Sequence, residues 1–113
     1  MPATDRERIE HMLGAARKVS NVIAGRSRSD LERDDVLALA LTKLVEIIGE
    51  AAKNVSAATR EHYPQIPWRQ MAATRDRLIH GYFDVDLDVL WEIVSGDLPA
   101  VAPELETILI SGG

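Results

Sequence analysis

Apolar residues recur along this chain three and four positions apart, the spacing of one face of an α-helix. Ile9, Met12, Leu13, Ala16, Val19 and Ile23 form a first stripe. Thr4, with Glu7 three residues on, predicts a capping box at its start, and Gly25 predicts its end. The polar, serine-bearing stretch 26–33 reads as a connection. Asp34 or Asp35 is placed to cap a second helix reaching about Ala57, with Leu37, Leu41, Leu44, Ile48, Ala51 and Val55 in one stripe. Val36, Ala40 and Ile47 widen that stripe, as in a central helix covered on more than one side. Its polar side carries Lys43, Glu46, Glu50 and Lys53. Gly49 costs about 1 kcal/mol against alanine in a helix, which predicts a close helix contact there.

Residues 58–66 read as a loop. Pro67 suits the first turn of a third helix running to about His80, with Trp68 in the core. Asp84 or Asp86 predicts the cap of a fourth helix carrying Leu87, Leu90, Trp91 and Val94. Gly96 breaks it, and Asp97 with Pro99 restarts a fifth through Leu98, Val101, Leu105, Ile108 and Leu109. Pro103 interrupts that last stripe and predicts a kink or a later start. No strand alternation and no internal repeat occurs. The expectation is one all-α domain over residues 1–113, an up-and-down bundle of four to five helices.

Composition narrows the function classes. A chain of 113 residues supports one modest core, and 46% hydrophobic with 27% charged residues is neither a disordered nor a membrane-spanning composition. The longest aliphatic run, Val36 to Leu41, is far short of the ~20 residues a span needs. The start of the chain lacks a basic-then-apolar leader pattern, and there is no cysteine for disulfides or thiolate metal sites. A cytoplasmic protein is expected. Thirteen basic against eighteen acidic side chains leave a net charge of −5, which opposes broad nucleic-acid binding. RNA would therefore need a local basic cleft, with Arg69, Arg75 and Arg77 as candidates.

The densest chemistry lies in Arg75-Asp76-Arg77-Leu78-Ile79-His80-Gly81-Tyr82. On a helix Arg75 falls within the apolar stripe of Trp68, Met71, Ala72, Leu78 and Ile79, which is costly unless that face opens on a polar cleft. Asp76 and His80, four apart, share a helix face, so the carboxylate can orient the imidazole. Arg75 and His80 stand about 140° apart around a helix. Joint action then requires the helix to end near His80, with Gly81 as the stop, or a second copy of the chain to supply part of the site. His62 and His80, with no cysteines and no matching carboxylate spacing, predict no metal site. His11 reads as structural or exposed. The bland alternative for the whole stretch is a capped, ion-paired helix terminus.

The stretch RDRLIHGY, with Arg75, His80 and Tyr82 on defining positions, resembles the signature of HEPN-domain ribonucleases, and HepT-type toxins in particular. Residues 47–52, 63–68, 82–86, 91–94 and 97–99 are similar to that subgroup in the same order. The resemblance implies a HEPN-like homodimeric bundle acting as a metal-independent endoribonuclease without a cofactor. It assigns His80 as general acid/base and Arg75 as phosphate clamp, with Asp76 orienting His80. Arg77 would bind a neighbouring phosphate or pair with Asp76, and Arg69 and Glu50 would line the cleft. Glu50 either belongs to a solvated stripe or pairs with an arginine such as Arg75. The resemblance further implies a toxin–antitoxin partner, a minimal nucleotidyltransferase (MNT) that transfers AMP from ATP to Tyr82 and so blocks the cleft. Two other readings compete: a non-catalytic HEPN nucleotide- or RNA-binding module partnering a nucleotidyltransferase, and a purely structural helical interaction domain.

Overall fold

Two long helices and a third long helical stretch carry the core of the protein, whose computed structural model describes residues 1–80 and 84–112, with His80 by its backbone alone. Helix α1 (Ala3–Ile23) and helix α3 (Asp35–Asn54) pack against each other along their length. The chain then passes through α4 (Ala57–His62), α5 (Trp68–Ala72) and α6 (Thr74–Leu78). A short hairpin, β1 (Ile79–His80) with β2 (Asp84–Val85), leads to α7 (Leu87–Glu92), a π-helical turn (Ile93–Asp97) and α8 (Leu98–Ser111). Helix α3 touches α1, α2 (Asp30–Arg33), α5, α6 and α7, while α8 closes over α1. Apart from the hairpin the architecture is all-α. Among the described residues no helix is long and apolar enough to cross a membrane.

The stripes read from sequence form the core. Ile9, Met12, Val19, Leu41, Ile48, Trp68, Leu90, Leu105 and Ile108 are all buried. Asp34 caps α3 by accepting from the Leu37 N–H at 3.0 Å, and Asp86 caps α7 by accepting from the Asp88 and Val89 N–H groups at 3.1 Å each. Gly25 adopts φ +75°, a left-handed conformation that closes the end of α1 and that other residues rarely reach.

Several boundaries differ. Helix α1 starts at Ala3, so Thr4 lies inside it and makes no cap. The polar connection holds the single turn α2. Helix α3 ends at Asn54, because Ser56 starts α4 by accepting from the Thr59 N–H, within the stretch expected to be a loop. The third helix breaks at Ala73 and ends at Leu78, before His80. Gly96 does not break the last helical stretch. Pro99 has no N–H to give the Ser95 carbonyl, and its ring crowds that oxygen; the preceding turn opens to an i→i+5 bond, Leu98 N–H to Ile93 O, which relieves both. Pro103 sits inside α8 on its exposed side and neither ends nor delays it. Val36, Ala40 and Ile47, expected to widen the buried face of α3, are exposed.

Two buried contacts set the spacing of these elements. At Gly49 an added Cβ would stand 2.9 Å from the Met71 carbonyl oxygen, so only glycine lets α5 lie this close to α3. Asp5, 2% exposed, accepts from the Ser56 N–H at 3.0 Å, the Ser56 hydroxyl at 2.6 Å and the Thr59 hydroxyl at 2.7 Å. It thereby ties the start of α1 to the start of α4. Burial pushes the Asp5 carboxyl up, but the Ser56 and Thr59 hydrogen bonds outweigh it and hold it below its ordinary value.

Gly49→Ala gains about 1 kcal/mol of helix propensity but meets backbone, so we expect a net loss of about 1–2 kcal/mol in urea unfolding. Asp5→Asn leaves buried donors unsatisfied and costs about 1–3 kcal/mol at pH 7. Because the folded-state value is depressed, that stabilisation is complete above the ordinary 3.8 and fades as the pH falls below it. The gap between wild type and Asp5→Asn in urea titrations is therefore expected to narrow below that pH.

Candidate active site

Helices α5 and α6 form a wall with a cavity on each side. Gln70, Met71, Thr74 and Arg77 line one of about 510 Å³, floored by Val45, Ile48 and Val101. On the other side Arg69, Ala73, Arg75 and Asp76 face Glu46, Gly49, Glu50 and Lys53 of α3 across a cavity of about 480 Å³, with Arg60 of α4 also in its wall. Arg75, Glu46 and Glu50 also border a further cavity of about 430 Å³, whose other walls include Arg8 and His11 of α1 and Lys43 of α3. Arg75 thus stands where two cavities meet.

The reason Arg75 reaches the cleft differs from the one its spacing suggested. It does not sit on the apolar face; it is exposed, and Thr74 takes the buried position between Met71 and Leu78. Thr74 satisfies its hydroxyl by donating to the Gln70 carbonyl at 3.0 Å, so a polar residue enters the core at little cost. The break at Ala73 turns the following residues so that Arg75 and Asp76 share a wall with Arg69. No buried arginine therefore has to be explained.

The structure brings Glu50, Arg69, Arg75 and Asp76 to one cavity. Among the described residues no ion pair joins Glu50 to Arg75; Glu50 instead accepts from the Asn54 side-chain amide at 3.2 Å. Arg77 lies on the opposite side of the wall, 4.0 Å from Asp97 rather than beside Asp76, in an exposed pair worth at most about 1 kcal/mol. Helix α6 ends at Leu78, and Ile79 is extended (φ −106°, ψ 117°). The backbone of His80 is in β1, paired with Asp84. Neither the shared helix face of Asp76 and His80 nor the 140° separation from Arg75 therefore applies. The His80 side chain and Tyr82 lie outside the described residues.

Among the described residues no three His, Asp or Glu side chains converge as metal ligands would. His62 is exposed and meets the Tyr63 ring edge-on at 4.7 Å. His11, expected to be structural or exposed, is exposed and borders the smaller cavity. Sequence reasoning missed Arg8 and Arg60 at this site altogether. Lys43 and Lys53, on the polar side of α3, flank Gly49, and that position is the sequence signal for their place at the site.

The family model for HepT-like ribonucleases matches residues 12–108. A candidate RNase of Caldanaerobacter subterraneus is 36% identical over 106 residues, covering 94% of this chain and 95% of that protein. A candidate ribonuclease HepT of Thermococcus cleftensis is 46% identical over 69 residues, covering 61% of this chain and 63% of that one. A protein of Methanocaldococcus jannaschii, named for a gamma-glutamylcyclotransferase and a candidate RNase, is 36% identical over 101 residues, 89% of this chain but 46% of its own length. No solved structure matches. With the match spanning most of the bundle, including Arg75, His80 and Tyr82, the chain belongs to the HepT-like ribonuclease family.

Proposed function

We propose that this protein is a metal-independent endoribonuclease with Arg75 and His80 as its catalytic pair. The observation that carries the proposal is the position of Arg75: an exposed guanidinium with no ion-pair partner among the described residues, at the junction of two cavities. Three residues later α6 has ended, so His80 is not held on the far side of a helix. In the reaction the ribose 2′-hydroxyl attacks the adjacent phosphorus while His80 takes its proton. The P–O5′ bond breaks, and the leaving oxygen receives a proton from a general acid. Arg75 stabilises the charge gathering on the non-bridging oxygens. The products are a 2′,3′-cyclic phosphate and a 5′-hydroxyl. Asp76 lines the same wall as Arg75, and the orienting role toward His80 rests on the family resemblance alone; Arg77, paired with Asp97, stands outside this set.

The same proposal includes a homodimer and a toxin–antitoxin setting. Val36 and Leu39, exposed on the first turns of α3 and outside the cleft, support a second copy docking there. A nucleotidyltransferase antitoxin would transfer AMP from ATP to Tyr82, adding bulk and negative charge where a phosphate must enter. A bundle that binds RNA without cutting it is the competing reading, favoured by the net charge of −5.

Total cellular RNA incubated with purified protein in EDTA tests the proposal. Wild type is expected to leave cyclic phosphate ends, and His80→Ala to lose roughly 10²-fold or more in rate, the usual weight of a general acid or base. No cleavage by wild type carrying an unmodified Tyr82 would favour the binding module. Tyr82→Phe is expected to accept no AMP from the antitoxin, read by intact mass; modification persisting in that variant would move the acceptor elsewhere.

A further inference from the structure

The arginines of this acidic chain divide by location. Arg6, Arg17, Arg26, Arg28 and Arg77 each pair with a carboxylate: Glu10, Glu106, Asp34, Glu32 with Asp88, and Asp97. Arg8, Lys43, Lys53, Arg60, Arg69 and Arg75 make no direct ion pair among the described residues, although Arg8 acts on the buried Asp5 carboxylate from a distance, and all six line the two cavities that meet at Arg75. Lys18 and Arg33 are likewise unpaired but lie away from both cavities. Six cations against Glu46, Glu50 and Asp76 leave a local positive excess on one surface of a negatively charged protein, which a polyanion can meet.

A second observation points the same way. The Nε of Arg60 is shut off from solvent and has no hydrogen-bond partner among the described residues. An anion in the adjoining cavity would meet that donor only if the guanidinium turned toward it, which the unmade bond favours. Glu46 and Glu50 border both cavities, so α3 presents a negative rib between two positive hollows. Phosphates would sit to either side of that rib and pass it beside Arg75. From Lys43 to Lys53 the helix rises about 15 Å, against about 3.4 Å per nucleotide of a stacked strand, which gives room for roughly four phosphates.

We infer that single-stranded RNA runs across α3 through two phosphate subsites, Arg8 with Lys43 on one side of Arg75 and Lys53, Arg60 and Arg69 on the other. This rests on the ribonuclease reading for the identity of the polyanion and for placing the scissile phosphate at Arg75. The two hollows make the contact local: RNA is held over several nucleotides by groups remote from the cut, and the acidic remainder of the surface repels it elsewhere.

The test is fluorescence anisotropy with a short labelled oligouridylate, 2′-O-methylated throughout so that it cannot be cut, titrated with full-length protein across a salt series. Lys43→Glu/Lys53→Glu removes one exposed cation from each subsite; Lys18→Glu/Arg33→Glu makes the same change in net charge away from both. The groove variant is expected to bind roughly tenfold or more weakly, with the slope of log K against log salt shallower by roughly 0.7 per lost contact. The control variant is expected to follow wild type. Thermal melts check that both are folded, and Arg69→Gln provides a milder second groove change. Equal weakening in groove and control variants, or none in either, would overturn the subsites. So would displacement of the RNA by polyglutamate at equal charge, which would make this an acidic-protein surface. Groove-dependent binding without any cleavage of ordinary RNA would count against the nuclease reading and leave the groove standing. Cleavage with an unchanged KM in the groove variants would do the reverse.

Discussion

The approach of α5 to α3 at Gly49 governs where the cleft residues stand. With a hydrogen in place of a side chain at position 49, the Met71 carbonyl comes to rest on α3, and a Cβ would lie 2.9 Å from it. Arg69 rides on α5 itself, and Arg75 and Asp76 follow it through the joint at Ala73. Moving α5 outward by the width of a methyl group would carry these groups away from Glu46, Glu50 and Lys53. Interiors are too closely packed to absorb such a shift without loss. The Asp5 network does the same for the cleft's more distant walls, since it fastens α4, which carries Arg60, to α1, which carries Arg8. A small domain thus holds cations from five helices around two adjoining cavities by two buried contacts.

Charge is distributed so that binding can be local. Outside the cleft Arg6, Arg17, Arg26, Arg28 and Arg77 are answered by carboxylates, mostly in exposed pairs of little energetic weight. Their value lies in reducing the positive potential there. Inside the cleft the carboxylates of Glu46, Glu50 and Asp76 are present but make no ion pair with the cations among the described residues. The field within is mixed: cations enough to attract a phosphate chain, acids enough to restrict its path.

Much of the fold was legible because it depends on periodic burial. The stripes of α1 and α3, the caps at Asp34 and Asp86, the stop at Gly25 and the close contact at Gly49 follow from local residue preferences. What escaped depends on tertiary compensation. Helix α4 is short and without an apolar stripe of its own; Ser56 and Thr59 are held in place by Asp5, fifty-one and fifty-four residues away. The hairpin strands are two residues each, too short for any alternation to register. Thr74 is buried by bonding its hydroxyl to its own helix, so a pattern of apolar residues alone put Arg75 in its place. Of the site, Arg75, Asp76, Arg69 and Glu50 were legible as cleft residues. Arg8 and Arg60 were not, since nothing within one helix reveals which neighbours fold against it.

The central claim is that Arg75 stabilises an in-line transesterification in this cleft. It is tested most directly by single-turnover cleavage, in EDTA, of an oligonucleotide carrying one ribose among 2′-deoxy sugars. Wild type should cut only at that ribose and leave a cyclic phosphate, while Arg75→Ala should retain substrate binding and lose about 10²–10³-fold in rate, the scale set by removing one transition-state hydrogen-bond donor. Cleavage by Arg75→Ala at the wild-type rate, or cutting at linkages without a 2′-hydroxyl, would contradict the account.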